Sequence, residues 1–168
     1  MRRTVRIAGG VIAAAAIAVF AVSCDDDDTT GPGAKTYVAN LNAAAEGGGF
    51  TSPGTGVFTF VDNGDVINWT LDLTNITNVT ASHIHLGSAT NVGTTAGPVI
   101  INLFLPNRPP ETGTLTGRVA EGTITNANNS TVSLDSLRVL FNNGNAYANV
   151  HTTAHPAGEI RDQIHPVP

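Results

Sequence analysis

Residues 56–76 read GVFTFVDNGDVINWTLDLTNI, and this stretch decides the fold class. On both sides of DNGD the residues alternate between apolar and polar, as in a β-hairpin whose strands each bury one face. The Asn-Gly pair at 63–64 can adopt the positive φ angles that a tight hairpin turn needs. Ile67, Trp69 and Leu71 fall on the apolar face of the second strand, which predicts that Trp69 lies in the core.

The same pattern continues through the domain that we predict over residues 36–165. Short runs rich in Val, Ile and Thr are separated by loops rich in Gly, Asn and Pro. Turn residues recur about every 8–15 positions, a spacing typical of small antiparallel β domains. We therefore predict an all-β fold, an antiparallel Greek-key-like β-sandwich of about eight strands.

One segment, STVSLDSLRVLFNNG at residues 130–144, departs from the strand pattern. Its apolar residues are spaced three and four positions apart, which is the period of a helix. Ser130 or Ser133 can cap the start of such a helix, and Gly144 can end it. The sequence therefore predicts one short helix inside this segment.

The N-terminal segment, residues 1–23, has the organisation of a bacterial signal peptide. Three arginines precede an apolar run at 11–22 that is too short and too rich in Ala for a membrane span. Cys24 follows directly and is the only cysteine, so the chain cannot form an internal disulfide. The residues before it resemble the lipobox of bacterial lipoproteins, with Ala21 where that family usually has Leu. We expect a lipidated Cys24; the alternative is an ordinary secretory signal with an incidental cysteine.

Residues 24–35 contain four consecutive aspartates and then Thr, Gly and Pro, a composition that predicts a disordered acidic tether. Without residues 1–23 the chain has five Lys and Arg against 13 Asp and Glu, a net charge of −8. Such a balance excludes a nucleic-acid partner, which requires a basic patch. We expect a protein of the bacterial cell envelope that is anchored to the lipid bilayer through Cys24 and faces the periplasm or the exterior.

Two histidines lie two residues apart in ASHIHLG, at positions 83 and 85. On a β-strand His83 and His85 point the same way and Ile84 points the other. In YANVHTTAH the same parity turns Val150 inward and His151 outward. If the two strands are neighbours, the three imidazoles converge on the outer face of the sheet.

Three imidazoles and a water suit zinc, and four nitrogen ligands suit copper. His155, in the loop after His151, is an optional fourth ligand. Glu159 and Arg161 share one face of the following strand, either as an ion pair or with Glu159 orienting an imidazole next to the metal. The alternative is that the imidazoles only form hydrogen bonds to loop backbone and bind nothing.

The H-x-H and V-H pattern resembles the copper-ligand part of Cu/Zn superoxide dismutase. The sequence has no loop with the histidines and aspartate of the zinc half, and the loop after the last histidine is too short to carry a substrate-guiding arginine. Dismutase activity is therefore disfavoured.

A longer resemblance covers about residues 36–164. The segments ASHIHLG, GPVIINLF and LFNNGNAYANVHTTAHPAGEIRDQI occur in this order and resemble the chordin-type CHRD domain family. Ala148 replaces a common Val of the family, and Asp162 replaces a common Gly. The resemblance implies a β architecture in a secreted or extracellular protein. The growth-factor binding of animal chordin is not carried over to a bacterial lipoprotein.

The sequence contains no G-x-S-x-G, no H-E-x-x-H and no phosphate-binding glycine loop, so no enzyme class is indicated. Three functions remain. The first is a membrane-anchored extracytoplasmic binding or adhesion module whose partner is an unidentified protein or small ligand. The second is a copper- or zinc-binding module, and the third and least favoured is a dismutase-like enzyme.

Overall fold

The computed structural model describes residues 33–88, 97–104, 111–129 and 131–168. The predicted signal peptide, Cys24 and most of the predicted tether lie outside these residues. The first strand begins at Lys35, the last residue of the predicted tether. None of the helices in the described residues combines the length and the apolar content needed to cross a bilayer.

Eight strands and two short helices make up the described part of the chain, so the all-β, antiparallel prediction is confirmed. In chain order the elements are β1 (Lys35–Asn42), α1 (Ala43–Glu46), β2 (Thr55–Asp62), β3 (Ile67–Leu86), β4 (Val99–Phe104), β5 (Glu111–Ile124), α2 (Leu134–Asn142), β6 (Ala146–Thr152), β7 (Ile160–Gln163) and β8 (His165–Pro166).

The strands form one sheet that closes on itself, whereas the sequence predicted a sandwich of two sheets. The hydrogen-bonded order is β2-β1-β7-β6-β3, and β2 also pairs with β3, which closes the ring. β4 and β5 add to β3 outside this ring, and β8 pairs with β1. The architecture is thus a small antiparallel barrel with additional strands along β3.

The difference from the predicted sandwich comes from β3, which is 20 residues long. In the sequence, residues 66–73 and residues 78–86 each show a strand pattern of their own, which predicts two separate strands with a break near residues 74–77. Asn75 and Asn78 adopt positive φ angles of 57° and 55°, and the β3–β5 register shifts beside them. Asn tolerates this left-handed conformation better than most residues, so the strand bends there without ending. One continuous strand therefore serves both halves of the barrel.

The predicted hairpin forms the centre of the core. β2 and β3 pair in register around the 63–64 turn, with Phe60 opposite Trp69. Trp69 is only 6% exposed, which confirms its predicted burial. Its indole covers Gly122 of β5, where a Cβ atom would lie 2.8 Å from the ring. A glycine at this position is therefore needed for the indole to lie flat on the neighbouring strand.

The predicted helix is confirmed as α2. The Ser133 hydroxyl accepts a hydrogen bond from the Ser136 backbone N–H at 3.2 Å, as an N-cap does. Leu134, Leu137 and Phe141 lie on the buried face of the helix. The prediction of a single helix was wrong, because α1 forms one further turn that is too short to show a helical period.

Arg138 of α2 holds the helix to the β2–β3 hairpin. Its guanidinium donates two hydrogen bonds to Asp62, from Nε to Oδ2 at 2.7 Å and from Nη2 to Oδ1 at 3.0 Å. These hydrogen bonds lower the pKa of Asp62. Asp62 is buried, so its two hydrogen bonds to Arg138 replace the hydrogen bonds to water that the carboxylate loses on folding.

Candidate metal centre

β3 and β6 are hydrogen-bonded neighbours, which is the condition for their histidines to meet. The register pairs His83 with Asn149, His85 with Tyr147, and Ala81 with His151. Cross-strand partners share a face of the sheet, so all three imidazoles lie on one face. Ile84 and Val150 are fully buried on the opposite face, inside the barrel.

The three rings form a compact group. The ring centroids of His83 and His151 are 4.8 Å apart, those of His83 and His85 are 5.6 Å apart, and those of His85 and His151 are 6.4 Å apart. His83 Nδ1 lies 3.0 Å from His151 Nε2. One ring nitrogen from each histidine lies within 4.8 Å of the other two, a spacing that can hold a metal ion.

Backbone carbonyls fix the tautomers of two of these imidazoles. His85 Nδ1 is 2.7 Å from the Gly97 carbonyl oxygen, and His151 Nδ1 is 2.9 Å from the Pro156 carbonyl oxygen. A carbonyl oxygen only accepts, so each Nδ1 carries the proton and each Nε2 keeps its lone pair. Metal-binding histidines are oriented in the same way, by a hydrogen bond from the nitrogen that does not bind the ion.

His85 Nε2 has an unsatisfied lone pair. The residue is 4% exposed, and Nε2 has no hydrogen bond of good geometry among the described residues, although the Asn149 side chain interacts with the ring. A buried acceptor without a partner costs about 1–3 kcal/mol. His85 is buried although it lies on the outer face of the sheet, because the Gly97 carbonyl lies at one edge of its ring and Tyr147 stacks on it with 4.8 Å between centroids.

The surroundings keep the three imidazoles neutral. Burial lowers the pKa of His85 and of His151. Burial, together with the two neighbouring imidazoles, lowers the pKa of His83 to about 4. Because a metal ion binds the neutral ring, the cluster is in its ligand form at neutral pH.

His155 lies apart from the other three histidines. Its ring stacks on Phe50, with centroids 3.9 Å apart, and it does not belong to the group of converging ligand atoms. Strand parity could not predict this position, because His155 is in a loop and an aromatic side chain from another loop holds its ring. The structure therefore does not supply the optional fourth ligand.

Glu159 and Arg161 also differ from their predicted roles. Glu159 accepts hydrogen bonds from the hydroxyls of Ser52 and Thr152, both at 2.6 Å, so neither carboxylate oxygen orients an imidazole. Arg161 forms no ion pair with Glu159 among the described residues. Its guanidinium carbon lies 4.3 Å from the centre of the Tyr147 ring.

Three residues beside the cluster were not predicted to belong to the site. The period of the strand places Tyr147 and Asn149 on the face of His151, but it assigns them no role there. Gly97 contributes through its backbone, donating its N–H to the Tyr147 hydroxyl at 3.1 Å and accepting from His85. Nothing in the sequence marks a glycine for such a role.

The comparisons with known proteins bear on the whole described domain. The model of one family, the CHRD domain, matches residues 37–164, a range that includes both histidine-bearing strands. No curated protein and no solved structure matches the chain. The match agrees with the resemblance carried by the HIHLG segment and by the long C-terminal motif, and confirms it.

Proposed function

This chain belongs to the CHRD domain family, whose domain is an extracellular-type module, and on that premise we propose that it binds a copper or zinc ion through His83, His85 and His151. The observation that carries the proposal is the convergence of three ring nitrogens within 4.8 Å of one another on one face of the β3–β6 pair. In this proposal, the ligand of the binding module is the metal ion.

The donor set selects the class of metal. Three imidazole nitrogens suit copper and zinc, whereas magnesium and calcium prefer oxygen ligands. Bonds of about 2.0–2.1 Å to a shared ion bring imidazole nitrogens to about 3–4 Å from one another. His83 Nδ1 and His151 Nε2 already lie 3.0 Å apart and are joined by a hydrogen bond in the metal-free cluster. An ion that binds both nitrogens replaces this hydrogen bond, and the His83 proton moves to its other ring nitrogen. A fourth position remains for a water or another ligand.

The tautomers distinguish this arrangement from a group of merely structural histidines. A structural imidazole satisfies both nitrogens with hydrogen bonds when it is buried. His85 has a hydrogen bond of good geometry only at Nδ1. Coordination of an ion removes the cost of this unpaired lone pair.

Location forms the second part of the proposal. A lipid on Cys24 anchors the module in the bacterial cell envelope, so that the metal site faces the periplasm or the exterior. The support for this part comes from the sequence, in the short apolar run at 11–22 and the single cysteine that follows it.

Metal uptake of the full-length protein tests the proposal. The detergent-solubilised protein is equilibrated with copper or zinc, desalted and analysed for metal by mass spectrometry. We expect about one ion per chain for the wild type and strong loss for His85→Ala. His165→Ala, which removes an exposed histidine outside the cluster, is the matched control and should retain the ion. Equal uptake by the wild type and His85→Ala would show that the cluster is a hydrogen-bonded structural feature.

A further inference from the structure

Arg161 of β7 is a buried cation with an unused donor. The residue is 3% exposed, and no polar atom of the described residues forms a hydrogen bond with its Nη2. A buried charge without a full set of hydrogen bonds is costly, because it has given up water on folding. This unpaired donor suggests a ligand that would complete its hydrogen bonding.

The sheet places Arg161 beside the histidine cluster. Arg161 is paired in register with Asn149 of β6, and Asn149 is paired with His83 of β3. The three residues therefore lie side by side across adjacent strands that are about 4.8 Å apart. Tyr147 contacts both groups, since its ring lies under the Arg161 guanidinium and stacks on His85.

The charges of this face are not balanced for a divalent ion. The three imidazoles are neutral and bring no negative charge to the ion, and Arg161 adds a positive charge next to it. The carboxylate of Glu46, on α1, interacts electrostatically with Arg161 but forms no ion pair with it. A divalent ion at the histidines therefore favours an additional anion on the Arg161 side.

We propose that a small anion, an inorganic anion or a carboxylate, occupies the open coordination position of the metal and is held by the Arg161 guanidinium, which lies over the Tyr147 ring. The inference rests on the proposed metal site and adds to it a ligand that does not come from the protein. Arg161 is a positioning residue for this anion: it binds no metal, and the three histidines alone hold the ion.

Azide is a suitable probe, because its coordination to Cu(II) produces a charge-transfer absorption band and changes the electron paramagnetic resonance spectrum. The copper-loaded full-length protein is titrated with sodium azide, and the Kd for azide is measured from the band. We expect Arg161→Gln to bind azide about tenfold more weakly than the wild type, and Arg161→Lys to lie between them. Glu46→Gln should bind azide more tightly, because it removes a negative charge near the anion.

Copper content is measured for every variant before the titration, so that loss of the anion is separated from loss of the ion. Wild-type protein that takes up copper but shows no azide band overturns the anion site and leaves the metal site standing. The same holds if Arg161→Gln binds azide as tightly as the wild type. If Arg161→Gln fails to fold, Glu46→Gln decides, and an unchanged Kd in that variant refutes the inference. Failure to bind copper overturns both proposals.

Discussion

Acid should destabilise the metal-free protein, and His83→Asn should remove much of that effect. The pKa of His83 is about 4 in the folded protein, against about 6.5 for an unperturbed histidine. Between these two values the unfolded chain takes up a proton that the folded barrel does not, so the free energy of unfolding falls as the pH falls. Above pH 6.5 this contribution to stability is fully present.

The size of the effect follows from the width of this window. Each pH unit is worth about 1.4 kcal/mol for one proton. Between pH 6.5 and pH 5 the protonation of His83 alone therefore lowers the free energy of unfolding by about 2 kcal/mol. His85 and His151 act in the same direction, because burial lowers the pKa of each. The summed loss of unfolding free energy is a large fraction of the stability of a small domain, which is about 5–15 kcal/mol.

Urea unfolding in the presence of EDTA, followed by the fluorescence of Trp69 at pH 7 and at pH 5, measures this loss. In His83→Asn the amide nitrogen can donate to His151 much as Nδ1 does, but it does not titrate. The wild type should lose about 2 kcal/mol more than His83→Asn between the two pH values. His165→Asn, at an exposed position, should behave as the wild type does. Equal losses in the wild type and His83→Asn would refute the assignment of a depressed pKa to His83.

Three further predictions concern the fold and the anchor. Trp69→Ala should lower the free energy of unfolding by about 3–5 kcal/mol in urea titrations, because the indole fills the centre of the core; a loss below about 1 kcal/mol would contradict its burial. Arg138→Ala should cost about 2–4 kcal/mol, because it leaves the buried Asp62 carboxylate unpaired. Asp135→Ala removes only the second carboxylate that pairs with Arg138. The Asp135 side chain is 91% exposed, so its loss should cost less than about 1 kcal/mol in the same assay. Mass spectrometry of membrane-extracted protein should find lipidated Cys24 as the mature N-terminus, and an intact Met1 or a free thiol at Cys24 would contradict this.

Most of the features that the sequence predicts come from the alternation of apolar and polar residues along single strands. It gave the hairpin, the burial of Trp69, and the shared orientation of His83 and His85, since these depend only on the period of two. The helix α2 was predictable for the same reason, from its own period and its Ser133 cap. Each of these features is set by residues close together in the chain.

Features that depend on distant segments could not be read in this way. The pairing of β3 with β6 is what brings His151 to His83, and the sequence only made it conditional. The positive φ angles of Asn75 and Asn78 turned an expected break into a bend, and this changed a sandwich into a barrel. His155 was included as a ligand on its distance along the chain, but its stacking on Phe50 depends on how two loops pack.

The long central strand also has a kinetic consequence. β3 pairs with four other strands, and the ring also needs the pairing of β1 with β7, in which Asn42 lies opposite Arg161. Such non-local pairings slow folding, because the entropy cost of closing a long loop must be met before the stabilising contacts can form. His83 and His151 are separated by 68 positions. The histidine cluster is therefore absent from any partly synthesised chain that lacks β6, and the proposed metal site is complete only after β6 has paired with β3.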